Sequence, residues 1–107
     1  MQNLSVTDLA AWLADSSRPA PVLLDVREPW ELETAKLANI VAIPMRDIPA
    51  RSEELDDEAQ IVCICHHGAR SAQVGMFLES RGFTQVFNLY GGIDAWSRQV
   101  DPGVPTY

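Results

Sequence analysis

The chain has 107 residues, enough for one domain with its own core and too few for two ordinary ones. Hydrophobic residues make up 47% and charged residues 21%, the balance of a globular chain rather than a disordered one. Eight Lys and Arg against fifteen Asp and Glu leave a net charge of −7, which speaks against nucleic acid and anionic membranes as partners. No stretch approaches the roughly 18–20 apolar residues of a membrane span. The start, Met1-Gln-Asn-Leu-Ser-Val-Thr-Asp8, lacks the basic and then apolar pattern of a secretory signal. The expectation is a single domain over residues 1–107, resident in the cytoplasm.

Ser5-Val-Thr-Asp8 reads as a capping box with Asp in place of Glu, followed by Leu9, Trp12 and Leu13 at helical spacing. That helix should end near Asp15, before the turn Ser16-Ser-Arg-Pro-Ala-Pro21. Val22–Val26 is a short apolar run carrying an acid, a buried strand, and Pro29 fits the first turn of a short helix through Leu32. Ile40–Ile43 reads as a strand closed by Pro44, with a short helix around Ile48–Leu55. Ile61–Cys65 is the clearest strand. Ser71–Arg81 follows as a helix, with Val74, Phe77 and Leu78 on one face and Gly82 as its cap. Gln85–Leu89 is a further strand, Gly92–Gln99 a final helix, and residues 100–107 an irregular tail.

Strands alternating with helices predict an α/β fold: a mainly parallel sheet of about five strands with helices on both faces. Ligands in such sheets bind beyond the carboxyl ends of the strands. Cys65 falls at one of those ends, and Asp25 and Arg27 at another.

The run Cys65-His66-His67-Gly68-Ala69-Arg70-Ser71 carries the chemistry. It places a thiol in a tight loop between a strand and a helix N-terminus, where backbone N–H groups and the helix dipole gather around an anion. The same field favours the nucleophilic thiolate. A ring of amides closing on the sulfur is expected, with Gly68 permitting the curl. An acidic protein that binds an anion needs a local positive site, and Arg70, His66 and His67 can form one. Arg70 is expected to cross the loop to a carboxylate, Asp25 or Glu28. Ser71 is expected to cap the helix and to donate toward the sulfur. Arg27 is either structural or shapes the site entrance.

Cys63 and Cys65 are two residues apart on a strand, a poor geometry for a disulfide, so reduced thiols are expected, Cys63 as core packing. These cysteines with His66 and His67 lie too close along one segment to wrap a tetrahedral ion; neither a metal nor another cofactor is expected. Trp12, Trp30 and Trp96 read as packing residues. Glu31, Glu33, Glu53, Glu54, Asp56, Asp57 and Glu58 read as solvated faces.

Together with Leu24-Asp-Val-Arg-Glu28 and Leu89-Tyr-Gly-Gly-Ile-Asp-Ala-Trp96, the loop Cys65–Ser71 makes the chain resemble the rhodanese-like sulfurtransferase family from Ser5 to Arg98. The resemblance implies that family's three-layer fold and a ping-pong reaction. Cys65 would take a sulfane sulfur from a small anionic donor such as thiosulfate and pass it, as a persulfide, to cyanide, a thiol or a protein acceptor. The loop residues His66, His67, Gly68, Ala69, Arg70 and Ser71 would bind the persulfide, with Asp25, Arg27 and Glu28 in support. The chain departs from the family where Ala35-Lys-Leu-Ala-Asn-Ile40 replaces a Gly-His-Ile-Pro-Gly-Ala pattern, although Asn39 can hold a left-handed turn. Two other readings stand beside this one. A small cysteine phosphatase or arsenate reductase uses a related Cys…Arg loop, but a longer one than the four residues between Cys65 and Arg70. A sulfur-carrying or regulatory interaction module with little turnover is the other.

Overall fold

The structure, a computed structural model, describes residues 1–107. Five strands alternate with five helices: β1 (Gln2–Leu4), α1 (Val6–Ala14), β2 (Val22–Asp25), α2 (Pro29–Thr34), β3 (Ile40–Ala42), α3 (Ile48–Arg51), β4 (Ile61–Ile64), α4 (Ala69–Ser80), β5 (Val86–Leu89) and α5 (Gly92–Gln99). The strands form one sheet in the order β1-β5-β4-β2-β3, and every pairing is parallel. The sheet covered on both faces is the α/β architecture the alternation predicts.

β4 lies at the centre and is buried along its whole length. Successive side chains of a strand point to opposite faces. Ile61, Cys63 and Cys65 therefore join one core with Leu24, Val26, Ile48, Val74 and Leu78, beneath α3 and α4. Val62 and Ile64 join the other with Val6, Leu9, Trp12, Leu89 and Trp96, beneath α1 and α5. Fully burying one such aliphatic side chain contributes about 1.5–3 kcal/mol, so the two cores fix the register of β4 and, with it, the position of Cys65.

Several local expectations change. β1 has only three residues, with Gln2 and Asn3 exposed, too short and too polar for periodicity to reveal; it forms because β5 offers it a parallel edge. α4 starts at Ala69, with Gly68 in the cap position, not at Ser71. The segment expected as one helix near Ile48–Leu55 is α3 flanked by 3-10 turns at Met45–Asp47 and Ser52–Glu54. Trp12 and Trp96 are buried, but Trp30 is 61% exposed and is no core residue. Asn39 does adopt the left-handed turn, at φ 61°. No helix is long and apolar enough to cross a membrane.

Candidate active site

Cys65 follows the last residue of β4, at the carboxyl edge of the sheet, and the chain curls from there into α4. The curl turns on Gly68, at φ 110°, a conformation that costs glycine little and other residues more. The first turn of α5 grips the start of the loop: Ile93 N–H donates to the Cys65 carbonyl at 3.0 Å and Asp94 N–H to that of His66 at 3.1 Å. This contact requires Gly92, at φ 59°, because a Cβ there would overlap the carbonyl oxygens of Cys65 and His66. The Gly91-Gly92 pair thus clamps one loop with the next.

The sulfur has two polar neighbours. Gly68 N–H donates to Sγ at 3.0 Å, and Ser71 Oγ lies 3.2 Å away. Ser71 donates to Asn88 Oδ1 at 2.5 Å, while Asn88 Nδ2 donates to the Gly68 carbonyl at 3.2 Å. The Gly68 bond fixes which way the Asn88 amide faces, and Ser71 has a single hydrogen to give. In this arrangement the Cys65 thiol is therefore the donor to Ser71. The expected ring of amides is replaced by one amide and one hydroxyl. Ser71 meets the sulfur from inside the first turn of α4 rather than as its cap, and in this arrangement it accepts from the thiol where a donor was expected. Sγ is also less open than the chemistry suggests: Cys65 is 1% exposed and belongs to the α3/α4 core. Asn88 was not among the expected residues; the signal is an amide inside the apolar run Val86-Phe-Asn-Leu89, 5% exposed.

The charges pair differently from expectation. Arg70 meets Glu31, neither Asp25 nor Glu28, in a two-pronged contact of 2.7 and 2.9 Å. Asp25 is taken by Arg27, which donates to it from Nε and Nη2 at 2.8–3.2 Å with both side chains fully buried. Glu28 is taken by the exposed Arg46. Arg27 also donates to the Ala35 carbonyl at 2.8 Å, tying β2 to the segment after α2. Glu31, read as a solvated acid, is only 3% exposed. The Arg70 hydrogen bonds hold its carboxyl down at about 2 against the opposing effect of burial, and a Tyr107 hydrogen bond adds to them. The same partner pushes the Arg70 guanidinium upward.

His66 is half-buried and His67 exposed, their ring centroids 3.9 Å apart and their planes tilted by 32°. Burial and then the neighbouring His67 draw His66 toward its neutral form. His67 Nε2 lies 3.9 Å from Asp94, itself bound by Arg98 at 3.0 Å. Ligand atoms of His66, His67 and Asp94 come within 4.8 Å of one another. Arg70 is committed to Glu31 and His66 is drawn toward neutrality, so these side chains do not add up to the free positive site expected of them. Ala69 is exposed at the start of α4. Cys63 is buried, unpaired with Cys65, and pushed up to about 12 by desolvation.

Residues 5–99 match the family described as the rhodanese-like domain. The rhodanese-like/PpiC domain-containing protein 12, chloroplastic, of Arabidopsis thaliana is 43% identical over 89 residues, which cover 79% of this chain and 30% of that protein. The chain thus spans less than a third of that relative. The thiosulfate sulfurtransferase GlpE of Coxiella burnetii is 31% identical over 96 residues, 90% of this chain and 89% of that one. The crystal structure of a rhodanese-like domain protein from Staphylococcus aureus aligns with a TM-score of 0.84 and 29% identity, covering 100% of this chain and 99% of that chain.

Proposed function

The chain belongs to the rhodanese-like family, and on that premise we propose that it is a sulfurtransferase in which Cys65 carries the sulfur as a persulfide. Family membership supports sulfur transfer in general; the specific chemistry is our reading of the site. One observation carries it: Gly68 N–H and the Ser71 hydroxyl both meet the Cys65 sulfur at the mouth of a glycine-turned loop, with α4 starting behind it. An aimed N–H and the positive end of a helix stabilise negative charge on sulfur, both on the attacking thiolate and on the terminal sulfur of a persulfide.

With thiosulfate as donor, the Cys65 thiolate attacks the outer sulfur. The S–S bond to the sulfonate sulfur breaks, and sulfite leaves with its electron pair. The Cys65 persulfide that remains is attacked at its outer sulfur by cyanide or a thiolate, which regenerates the Cys65 thiolate. Loss of the thiol proton removes the donor that Ser71 accepts from, so the Ser71 hydroxyl gains a reason to turn from Asn88 to the sulfur. The Glu31–Arg70 pair holds the loop exit in place. The Asp25–Arg27 pair and Glu28 act at one remove, as buried and surface props of the β2 edge. A protein acceptor fits this scheme as readily as a small thiol. Two unpaired thiols suit a reducing compartment, and the cytoplasm is the proposed residence.

The test is mass spectrometry of the intact protein and of its Cys65 peptide after incubation with thiosulfate. A gain of about 32 Da on that peptide, removed by cyanide and absent in Cys65→Ser, is the expected signature of covalent transfer. Undiminished transfer in Cys65→Ser would refute the assignment.

A further inference from the structure

The sulfur that must be loaded and unloaded is 1% exposed, yet two reactants have to reach it in turn. Residues 100–107 bear on that access. They leave α5, pack Val100 and Val104 against the α1/α5 core, and bring Tyr107 back to the carboxyl edge of the sheet. The Tyr107 ring lies flat on His66, with centroids 3.9 Å apart and planes 7° from parallel, and meets Trp30 edge-on at 5.9 Å. Its hydroxyl donates to Glu31 Oε2 at 2.6 Å and accepts from Arg27 Nη1 at 3.0 Å. Tyr107 therefore touches the entry of the loop through His66 and, through the Glu31 carboxylate, its exit at Arg70.

The contacts that hold this ring can also release it. Residues 105–107 make no backbone–backbone hydrogen bond, so Tyr107 is held by side chains, its own and the His66 ring, which meets the Tyr107 backbone as well as its ring. If the ring leaves, Glu31 keeps both Arg70 bonds, and Arg27 keeps Asp25 and the Ala35 carbonyl. Opening strands no buried charge, which is the cost that ordinarily locks such a network.

We propose that Tyr107 is the access-determining residue of this site, a cap closed over the Cys65 loop at rest that swings out to admit a sulfur donor or acceptor and discriminates against bulky ones. The proposal rests on the reading of Cys65 as the sulfur carrier, but cap and carrier are separable by experiment. A cap closed most of the time scales down every reaction at the sulfur by the fraction of time it is open, and larger reagents need it open further.

The test uses the full chain as wild type, Tyr107→Ala and Tyr107→Phe, each checked for folding by circular dichroism. Native protein is treated with iodoacetamide or with a bulky fluorescein maleimide, and labelling of the Cys65 and Cys63 peptides is followed by mass. Tyr107→Ala should label at Cys65 about tenfold faster or more, the factor expected for removing a cap closed nine-tenths of the time. The gain should be larger for the maleimide, and Cys63 should stay protected. Tyr107→Phe keeps the stack and loses both hydroxyl bonds, so it should fall between the two; if Tyr107→Ala does not fold, this variant decides. Wild-type rates in the variants, an equal gain for both reagents, or matching exposure of Cys63 would overturn the cap. Faster labelling in Tyr107→Ala with no sulfur uptake by any of the three proteins would leave the cap standing and sink the sulfur-transfer reading instead. Normal sulfur uptake with unaltered labelling would do the reverse.

Discussion

Replacing Glu31 by Gln tests whether the site is held by the carboxylate that the structure puts beneath Arg70. The substitution keeps the shape and removes the charge, leaving a buried amide facing a guanidinium and the Tyr107 hydroxyl. At 1.36 kcal/mol per pH unit, the drop from the ordinary 4.5 to about 2 corresponds to about 3 kcal/mol in favour of the ionised form. Arg70 is 36% exposed, and screening there reduces the expected loss to about 2 kcal/mol. The sign follows from the direction. A carboxyl held low in the folded state stabilises it fully above pH 4.5, and that stabilisation fades as pH falls toward 2. Urea unfolding followed by tryptophan fluorescence should place the midpoint of Glu31→Gln about 1–2 M below wild type at pH 7. The gap should narrow steadily between pH 4.5 and pH 2, because the wild-type carboxyl is then losing its charge as well. A gap of the same size at pH 3 and pH 7, or none at pH 7, would refute the assignment of Glu31 as the partner that holds the loop.

Three further substitutions, one of them a control, probe the surroundings of the sulfur. Asn88→Leu takes from the Ser71 hydroxyl its buried acceptor and from the Gly68 carbonyl one of its two donors, Ala72 N–H being the other, and should cost about 1–2 kcal/mol in urea unfolding and slow persulfide loading from thiosulfate. Loading at the wild-type rate would show that the orientation of Ser71 does not matter. Gly92→Ala should destabilise more than Gly82→Ala in thermal melts. Both glycines have positive φ, a cost of about 1–3 kcal/mol to other residues, but only at Gly92 does a Cβ overlap the loop carbonyls, while at Gly82 it meets nothing. Equal melting temperatures for the two variants would contradict the close approach of α5 to the loop.

The fold was legible wherever local pattern and tertiary fate coincide. The apolar run Ile61–Ile64 has no reason to be anywhere but mid-sheet, and the glycines at 68, 91 and 92 announce turns that their positive φ angles realise. Cys65 at a strand end before a helical pattern was legible for the same reason. The site's supports were not. Arg70 could reach any of several acids, and the one it takes, Glu31, comes from a helix of six residues whose burial depends on how α2 leans against the loop. The position of Tyr107 depends on Val100 and Val104 finding the α1/α5 core, a contact with no trace in local sequence. Asn88 left a weak trace, a polar residue at a buried register of β5, and an argument from strand alternation could have marked it as needing partners within reach.

The same pairing bears on how an acidic chain would hold the negatively charged sulfur proposed for Cys65. Asp25 with Arg27 and Glu31 with Arg70 are two acids and two bases bound to one another, so their charges cancel and leave no free cation facing the loop. What remains uncancelled is the backbone. Gly68 N–H points at the sulfur, α4 begins just beyond, and the carbonyls of Cys65 and His66 are turned away from Sγ to the first turn of α5. Each carbonyl bound elsewhere is one fewer negative dipole at the sulfur, and such fixed dipoles need no reorganisation when charge appears on it. The ion pairs therefore serve geometry, and the Gly68 amide with the start of α4 serves charge. This division predicts why shape-preserving loss of Glu31 should first be felt in stability, whereas displacement of the loop by a Cβ at Gly92 should be felt at the sulfur itself.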